Sequence, residues 1–390
     1  MAALVTAAMF VDAVFFALIA PLLPHYSDKL GLDQLQVGLL FAAHPFGTVA
    51  CAALAARLVR SRGAALTMTI GLVSLGVATI VFGLAASLPL LAACRFVQGG
   101  SAALVWCAGL ARLQAAAPPH RRGAALGLAG SAAGAGSLFG PVFAGLGSLT
   151  SVAATLVVLG ALALLLAVAL NAAGELPGER ATLDAGSGEE EAGGSWVRPE
   201  LLRPLGLTLV CGAVFGAVAT LAPLRLADLG AGAVLIAAAF AVSALGEIVA
   251  SPFAGHVSDR IGRVPVLRAC LLLAIPLLLA QALAGSAWTM GLAVALSGAS
   301  VASMWPLATA LLADESSHDN RPAAGIFAAS VVAWSTGLAG GSLLCGALGE
   351  SAGDGVAYSL LVAICLLALL ALATAPRAGK PAPHPESSFS

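Results

Sequence analysis

Most of the chain is written in apolar blocks of about twenty residues, separated by short polar breaks. At about 1.5 Å of rise per residue, a helical block of that length matches the roughly 30 Å hydrocarbon core of a bilayer. Twelve such windows can be marked: 4–24, 36–56, 65–86, 89–114, 123–146, 150–171, 205–227, 232–254, 265–284, 288–312, 322–348 and 356–375. Membrane β-strands would instead show about ten residues of alternating apolar and polar character, and no window alternates in that way. The pattern predicts an all-α integral membrane protein with twelve transmembrane helices.

One break is longer than the others. Residues 173–204 combine Gly, Pro and the charged run Gly186-Ser187-Gly188-Glu189-Glu190-Glu191, with too little apolar surface to order themselves. The expected organisation is a six-helix bundle over 1–172, a flexible linker over 173–204, a second six-helix bundle over 205–376 and a tail over 377–390. The first window lacks a basic start, carries Asp12 in its middle and is longer than a usual signal core, so it is read as a retained helix.

Composition agrees and adds orientation. The chain is 60% hydrophobic and 9% charged, against about 25% charged in a typical soluble domain. Of its 18 Lys and Arg, all but Lys29, Arg95 and Arg225 fall in the loops and tail on one side. The positive-inside rule then makes both termini cytoplasmic, in a multi-pass protein of the cell membrane. A net charge of −1 argues against a nucleic-acid partner, which calls for a strong basic excess. The seven cysteines all lie inside windows, at no metal-ligand or CxxC spacing, and read as small buried hydrophobes. No metal or cofactor is expected. No nucleotide-binding P-loop is present either, so a gradient must drive any uphill transport.

Four polar or glycine-rich stretches interrupt the apolar text. Between the eighth and ninth windows stands Gly255-His256-Val257-Ser258-Asp259-Arg260-Ile261-Gly262-Arg263, read as an Asp-Arg turn bounded by glycines. In the first helix, Asp12 is followed by Pro21-Leu22-Leu23-Pro24; in the fourth stands Arg95-Phe96-Val97-Gln98-Gly99-Gly100; in the fifth, Gly136-Ser137-Leu138-Phe139-Gly140-Pro141-Val142-Phe143-Ala144-Gly145. In this order the chain resembles twelve-span major facilitator transporters, most nearly the drug:proton antiporter and vesicular amine transporter branch. The resemblance implies two pseudo-symmetric six-helix bundles with a shared cavity between them at the midplane. Ser303-Met304-Trp305-Pro306 leading to Asp314 is similar to the same branch, whereas the acid expected in the eleventh helix is absent from Ala328–Trp334.

Site expectations follow. Asp12 lies roughly 12 Å into its helix, where a bare carboxylate is costly and intramembrane acids usually serve function; it could hold a proton or a cationic amine in turn. Phe15 and Phe16 are expected on its face, offering cation–π contact. Arg95, with Gln98 one turn on, could stabilise a nearby carboxylate or act as a structural cation. Glu247 is a second proton-site or gate candidate placed towards the cytoplasmic end. His44 before Pro45 is read as a packing residue. Gly136, Gly140 and Gly145, with Pro141, are expected to form a hinge or tight seam between the halves.

The first-half counterpart of the Asp-Arg turn reads Ala56-Arg57-Leu58-Val59-Arg60-Ser61-Arg62-Gly63, with Arg60 in place of the acid. By family resemblance Asp259, within Gly255, Asp259, Arg260, Gly262 and Arg263, is expected to latch near Arg121 and Arg122 at the start of the fifth helix. Arg60 and Arg62 are expected to pair with Asp314, Glu315 or Asp319. The functional expectation is a monomeric secondary transporter exporting a small apolar or cationic compound in exchange for protons. The alternatives are a facilitator or symporter importing a neutral metabolite, a non-transporting sensor, or a membrane-embedded enzyme. An enzyme should carry a clustered nucleophile and base or a metal-ligand set, and neither is visible in the sequence.

Overall fold

The computed structural model describes residues 2–116, 122–174, 199–316 and 323–373. The expected tail over 377–390, and residues 175–198 of the expected linker, lie outside the described residues. Twelve helices long and apolar enough to cross a membrane are present, and no strand occurs among the described residues. They are α1 (Ala2–Leu30), α2 (Gln34–Arg62), α3 (Ala64–Leu84), α4 (Leu88–Ala116), α5 (Arg122–Leu149), α6 (Val152–Ala173), α7 (Pro199–Asp228), α8 (Ala233–Ile261), α9 (Arg263–Ala282), α10 (Ala287–Ser316), α11 (Ala323–Ala352) and α12 (Asp354–Ala373).

Several helices run past their apolar windows, and this moves the expected boundaries. α7 opens at Pro199, inside the stretch expected to be linker, because proline is tolerated in a first helical turn. The Asp-Arg turn is likewise not a loop: α8 continues through Gly255, Asp259 and Arg260 to Ile261, and the chain reverses on Gly262 alone, at φ 94°. Only glycine takes that backbone region without strain. Gly63, at φ 85°, makes the same one-residue joint between α2 and α3. At the other end of α2, Asp33 and Gln36 close a reciprocal capping box, with Gln36 N donating to Asp33 Oδ1 at 2.7 Å.

The two sets of six helices repeat one packing pattern. α1 packs on α5, α2 on α4, and α3 on both α4 and α6; in the second set α7 packs on α11, α8 on α10, and α9 on both α10 and α12. The halves meet mainly through α2 against α11 and α5 against α8, pairs that exchange under the same two-fold relation. Each half has its own apolar core, and the first also takes in Ala219, Leu224 and Leu338 from the second. Val158, Leu165, Val168, Phe253 and Leu367 stand exposed on the outside, as expected of helices whose outer surface faces lipid rather than water.

Close helix approach is built on glycine. At Gly99 an added Cβ would fall on the His44 carbonyl, and at Gly47 on the Phe96 carbonyl. Both obstacles are backbone, so α2 and α4 touch along a seam that no larger residue would allow. In α5 the glycines divide between two faces. A Cβ on Gly140 would meet Leu18 N at 2.7 Å and Val14 O at 2.8 Å, and Gly136 lies against Ala13 and Phe10 of the same helix α1. Gly136 and Gly140 therefore form a seam inside the first half, correcting the expectation of a seam between halves. Gly145, whose Cβ would come 3.1 Å from Ala237, and Gly134, 3.1 Å from Ile248, face α8 across the interface. One helical face cannot serve both neighbours, and these two pairs sit on different faces of α5.

Candidate functional site

A cavity of about 80 Å³ lies between the halves, bordered by α1, α2, α5, α7, α8 and α10. Phe16 and Phe41 come from the first half and Phe215 and Phe240 from the second, with Ser137, Pro141, Ser243, Ser297 and Gly298 between them. The Phe16 and Phe215 rings, one from each half, are nearly parallel at 20° with centroids 6.3 Å apart. Phe16 also contacts Phe41 at 6.2 Å and His44 at 5.3 Å. From Phe215 the aromatic line continues to Trp334 at 5.4 Å and from Trp334 to Trp305 at 5.6 Å.

Glu247 is the one ionisable residue among the described residues lining the cavity. α8 runs from Ala233 to Ile261, past the end of its apolar window, and Glu247 stands at the midpoint of the helix. No described residue hydrogen-bonds its carboxylate. Ser251, one turn on, shares a hydroxyl contact of 3.3 Å with Ser303. A Cβ on Gly298 would collide with the Ser243 carbonyl, so α10 passes close to α8 beside Glu247.

Asp12 occupies a separate site. It is 4% exposed, within the first half, and its Oδ2 accepts a hydrogen bond from Trp106 Nε1 at 2.7 Å. Its Oδ1 is buried without a hydrogen-bond partner among the described residues. Arg95 is fully buried; its Nη1 donates to Gln98 Oε1 at 2.9 Å, and Gln98 Nε2 donates to Thr79 Oγ1 at 3.0 Å. Arg95 Nε and Nη2 and His44 Nδ1 are further buried atoms without a hydrogen-bond partner among the described residues. Arg95 thus pairs with Gln98, and the first half carries an acid, a guanidinium and an imidazole in its apolar interior. Of the two phenylalanines expected beside Asp12, Phe16 lines the cavity, while Phe15 is 2% exposed in the first-half core. Adjacent residues on a helix point about 100° apart, so one of the pair had to turn inward.

At the chain-terminal face, three ion pairs lie within the second half. Arg263 pairs with Asp259 one turn before it, with Ser258 Oγ at 2.6 Å and with Asp314 Oδ2 at 3.3 Å; Arg203 pairs with Glu315 at 2.5 Å. Asp314 and Glu315 thus have partners in their own half. Arg121 and Asp319 lie outside the described residues, as does the side chain of Arg122, so the expected Asp259 latch falls there. Pro141 lines the cavity, and Arg260 and Arg62 stand exposed at this face.

Sequence reasoning did not find Phe41, Phe215, Phe240, Ser297 or Trp106. Trp106 had a signal, since it follows Arg95 by eleven residues, three helical turns on the same face of α4. The cavity phenylalanines had none, because each is one apolar residue in an apolar helix.

The sequence model of the Major Facilitator Superfamily matches residues 5–225 and 205–389. The chain belongs to that superfamily, and is a multi-pass membrane transporter of its type. It is 30% identical over 148 residues to an uncharacterised MFS-type transporter of Schizosaccharomyces pombe, covering 36% of this chain and 32% of the relative. It is 41% identical over 75 residues to the MFS-type transporter ppzB of Metarhizium majus, covering 19% and 16%. The matches thus span a third or less of these relatives' lengths. Among solved structures, a bacterial homolog of the human lysosomal transporter Spinster aligns with a TM-score of 0.71 at 16% identity, over 95% of this chain and 94% of the other. The nucleoside transporter NupG aligns at 0.75 and 11%, over 95% and 98%. A D-xylose-proton symporter aligns at 0.73 and 17%, over 95% and 96%. At these identities the likeness is one of fold.

Proposed function

We propose that this transporter exports a small apolar or cationic compound in exchange for protons, by alternating access to the cavity between its halves. The observation that carries the reading is Glu247: a carboxylate without a described partner, at the midpoint of its helix, in a cavity walled by Phe16, Phe41, Phe215 and Phe240. Aromatic faces attract a cation within about 6 Å of the ring, and a desolvated carboxylate supplies the countercharge. Asp12 is assigned to the proton. It is buried, bonded to Trp106 and does not line the cavity, so it can change its charge without contacting cargo. We further propose a monomer with both termini cytoplasmic, as the distribution of basic residues favours.

The test uses the purified protein in liposomes, with phenyltrimethylammonium as a permanently charged probe. Asp12→Asn is expected to abolish accumulation driven by a pH gradient while probe counterflow persists; Glu247→Gln is expected to lose both. Gradient-driven accumulation that survives Asp12→Asn would overturn the assignment of the proton to Asp12, and uncoupled counterflow in the wild type would favour the facilitator reading.

A further inference from the structure

An even number of crossings puts both chain ends on one face, so the turns at Gly31 and Gly353 lie on the opposite one. There α2 of the first half begins against the end of α11 and the start of α12 in the second. The first four amides of a helix have no partner within it. Asp33 satisfies one of those of α2, at Gln36, from its own chain segment. Another is satisfied from the other half: Gln34 N donates to Glu350 Oε2 at 3.0 Å. The Gln34 side chain crosses the same seam, its Nε2 donating to Asp354 Oδ1 at 3.1 Å.

The backbone has been cleared to allow this. A Cβ on Gly38 would meet the Ser342 carbonyl at 2.5 Å, one on Gly346 would meet the Gln34 carbonyl at 2.7 Å, and Gly349 lies against the Gln34 side chain. Glu350 is otherwise badly placed. It sits in the last turn of α11, where a negative charge opposes the helix's own dipole. Against the positive end of α2 the same charge becomes favourable, but only while the halves are together on this face.

We infer that Gln34, Glu350 and Asp354 form an inter-half clasp that holds the face opposite the termini closed, with Glu350 capping α2 from the other half. The inference concerns the conformational cycle and is independent of the cargo and of the proton assignment proposed above. Opening this face strips α2 of that cap and returns Glu350 to its own helix dipole, so the clasp biases the resting population.

Hydrogen–deuterium exchange on the full chain in lipid nanodiscs tests it. The second inter-half seam, Gly145 of α5 against Ala237 of α8, is untouched by the substitutions and reports opening of the whole face. In the double variant Glu350→Gln with Asp354→Asn, amides of Gly346–Ala352 and of Ala233–Ala239 are expected to exchange about tenfold faster, while α3 and α6 keep wild-type rates. Gln34→Asn, which shortens the side chain and keeps the fold's packing, is expected to act in the same direction to a lesser degree. Faster exchange confined to Gln34–Val37 would mean a frayed helix end only, and would overturn the clasp. So would wild-type rates at both seams in Gln34→Asn and the double variant.

Discussion

Replacing Glu247 by glutamine removes a charge while keeping size and hydrogen-bonding capacity, so it isolates the electrostatic part of cargo recognition. The carboxylate has no described hydrogen-bond partner and lines a cavity otherwise built of phenylalanine, small apolar residues and serine, so a bound cation would be its main charge partner. Two unit charges about 4 Å apart attract by roughly 4 kcal/mol at the effective dielectric of about 20 that suits protein sites. Glutamine's amide oxygen recovers part of this, leaving a loss of about 2–4 kcal/mol, which corresponds to roughly 30- to 1,000-fold weaker binding. The assay is titration calorimetry on the purified protein with phenyltrimethylammonium and, in parallel, tert-butylbenzene, its uncharged isostere. The cation should lose affinity in Glu247→Gln, and the isostere should keep or gain it. Equal losses for the two ligands, or an unchanged cation affinity, would refute the charge reading and leave only the phenylalanine walls as the recognition surface.

Two further outcomes test the buried network and the helix seams. Trp106→Phe removes the one described donor to Asp12, a bond to a buried acid worth about 1.5–3 kcal/mol if charged. It should lower the thermal midpoint more than Trp305→Phe, which loses a neutral bond of 3.1 Å to Ser330 Oγ; equal effects would mean that Asp12 carries no charge-assisted bond. Gly99→Ala should destabilise by about 1–3 kcal/mol through overpacking on the His44 carbonyl. Gly130→Ala, with open space around its Cα, is the matched control that cancels helix propensity, and identical melting of the two would remove the seam argument.

The legible part of the site was whatever stood out against an apolar background. Asp12, Arg95, Gln98 and Glu247 were found because a charge or amide inside a spanning helix is costly and therefore conspicuous. Their relations were not legible. Phe15 and Phe16 looked equivalent beside Asp12, and packing sent one to the core and the other to the cavity. The extent of α8 was not legible either: charged residues at the membrane edge end the hydrophobic text without ending the backbone hydrogen bonding, so the helix runs on to Ile261 past its apolar window. Glu350 carried no signal in the sequence, because its partner Gln34 lies across the interface on a helix far away in the chain.

The sequence alone determined the solvent, the number of crossings and the division into two comparable halves, because each depends on hydrophobicity summed over about twenty residues and on glycines at fixed joints such as Gly63 and Gly262. The tertiary structure decided which polar groups share a space: Asp12 with Trp106 inside the first half, Glu247 with four phenylalanines between the halves, Gln34 with Glu350 at the opposite face. Those choices depend on the rotation of each helix about its axis and on contacts between residues far apart in the chain. In a helix that is apolar all round, hydrophobicity gives no preferred face, so only packing against the other helices could set them.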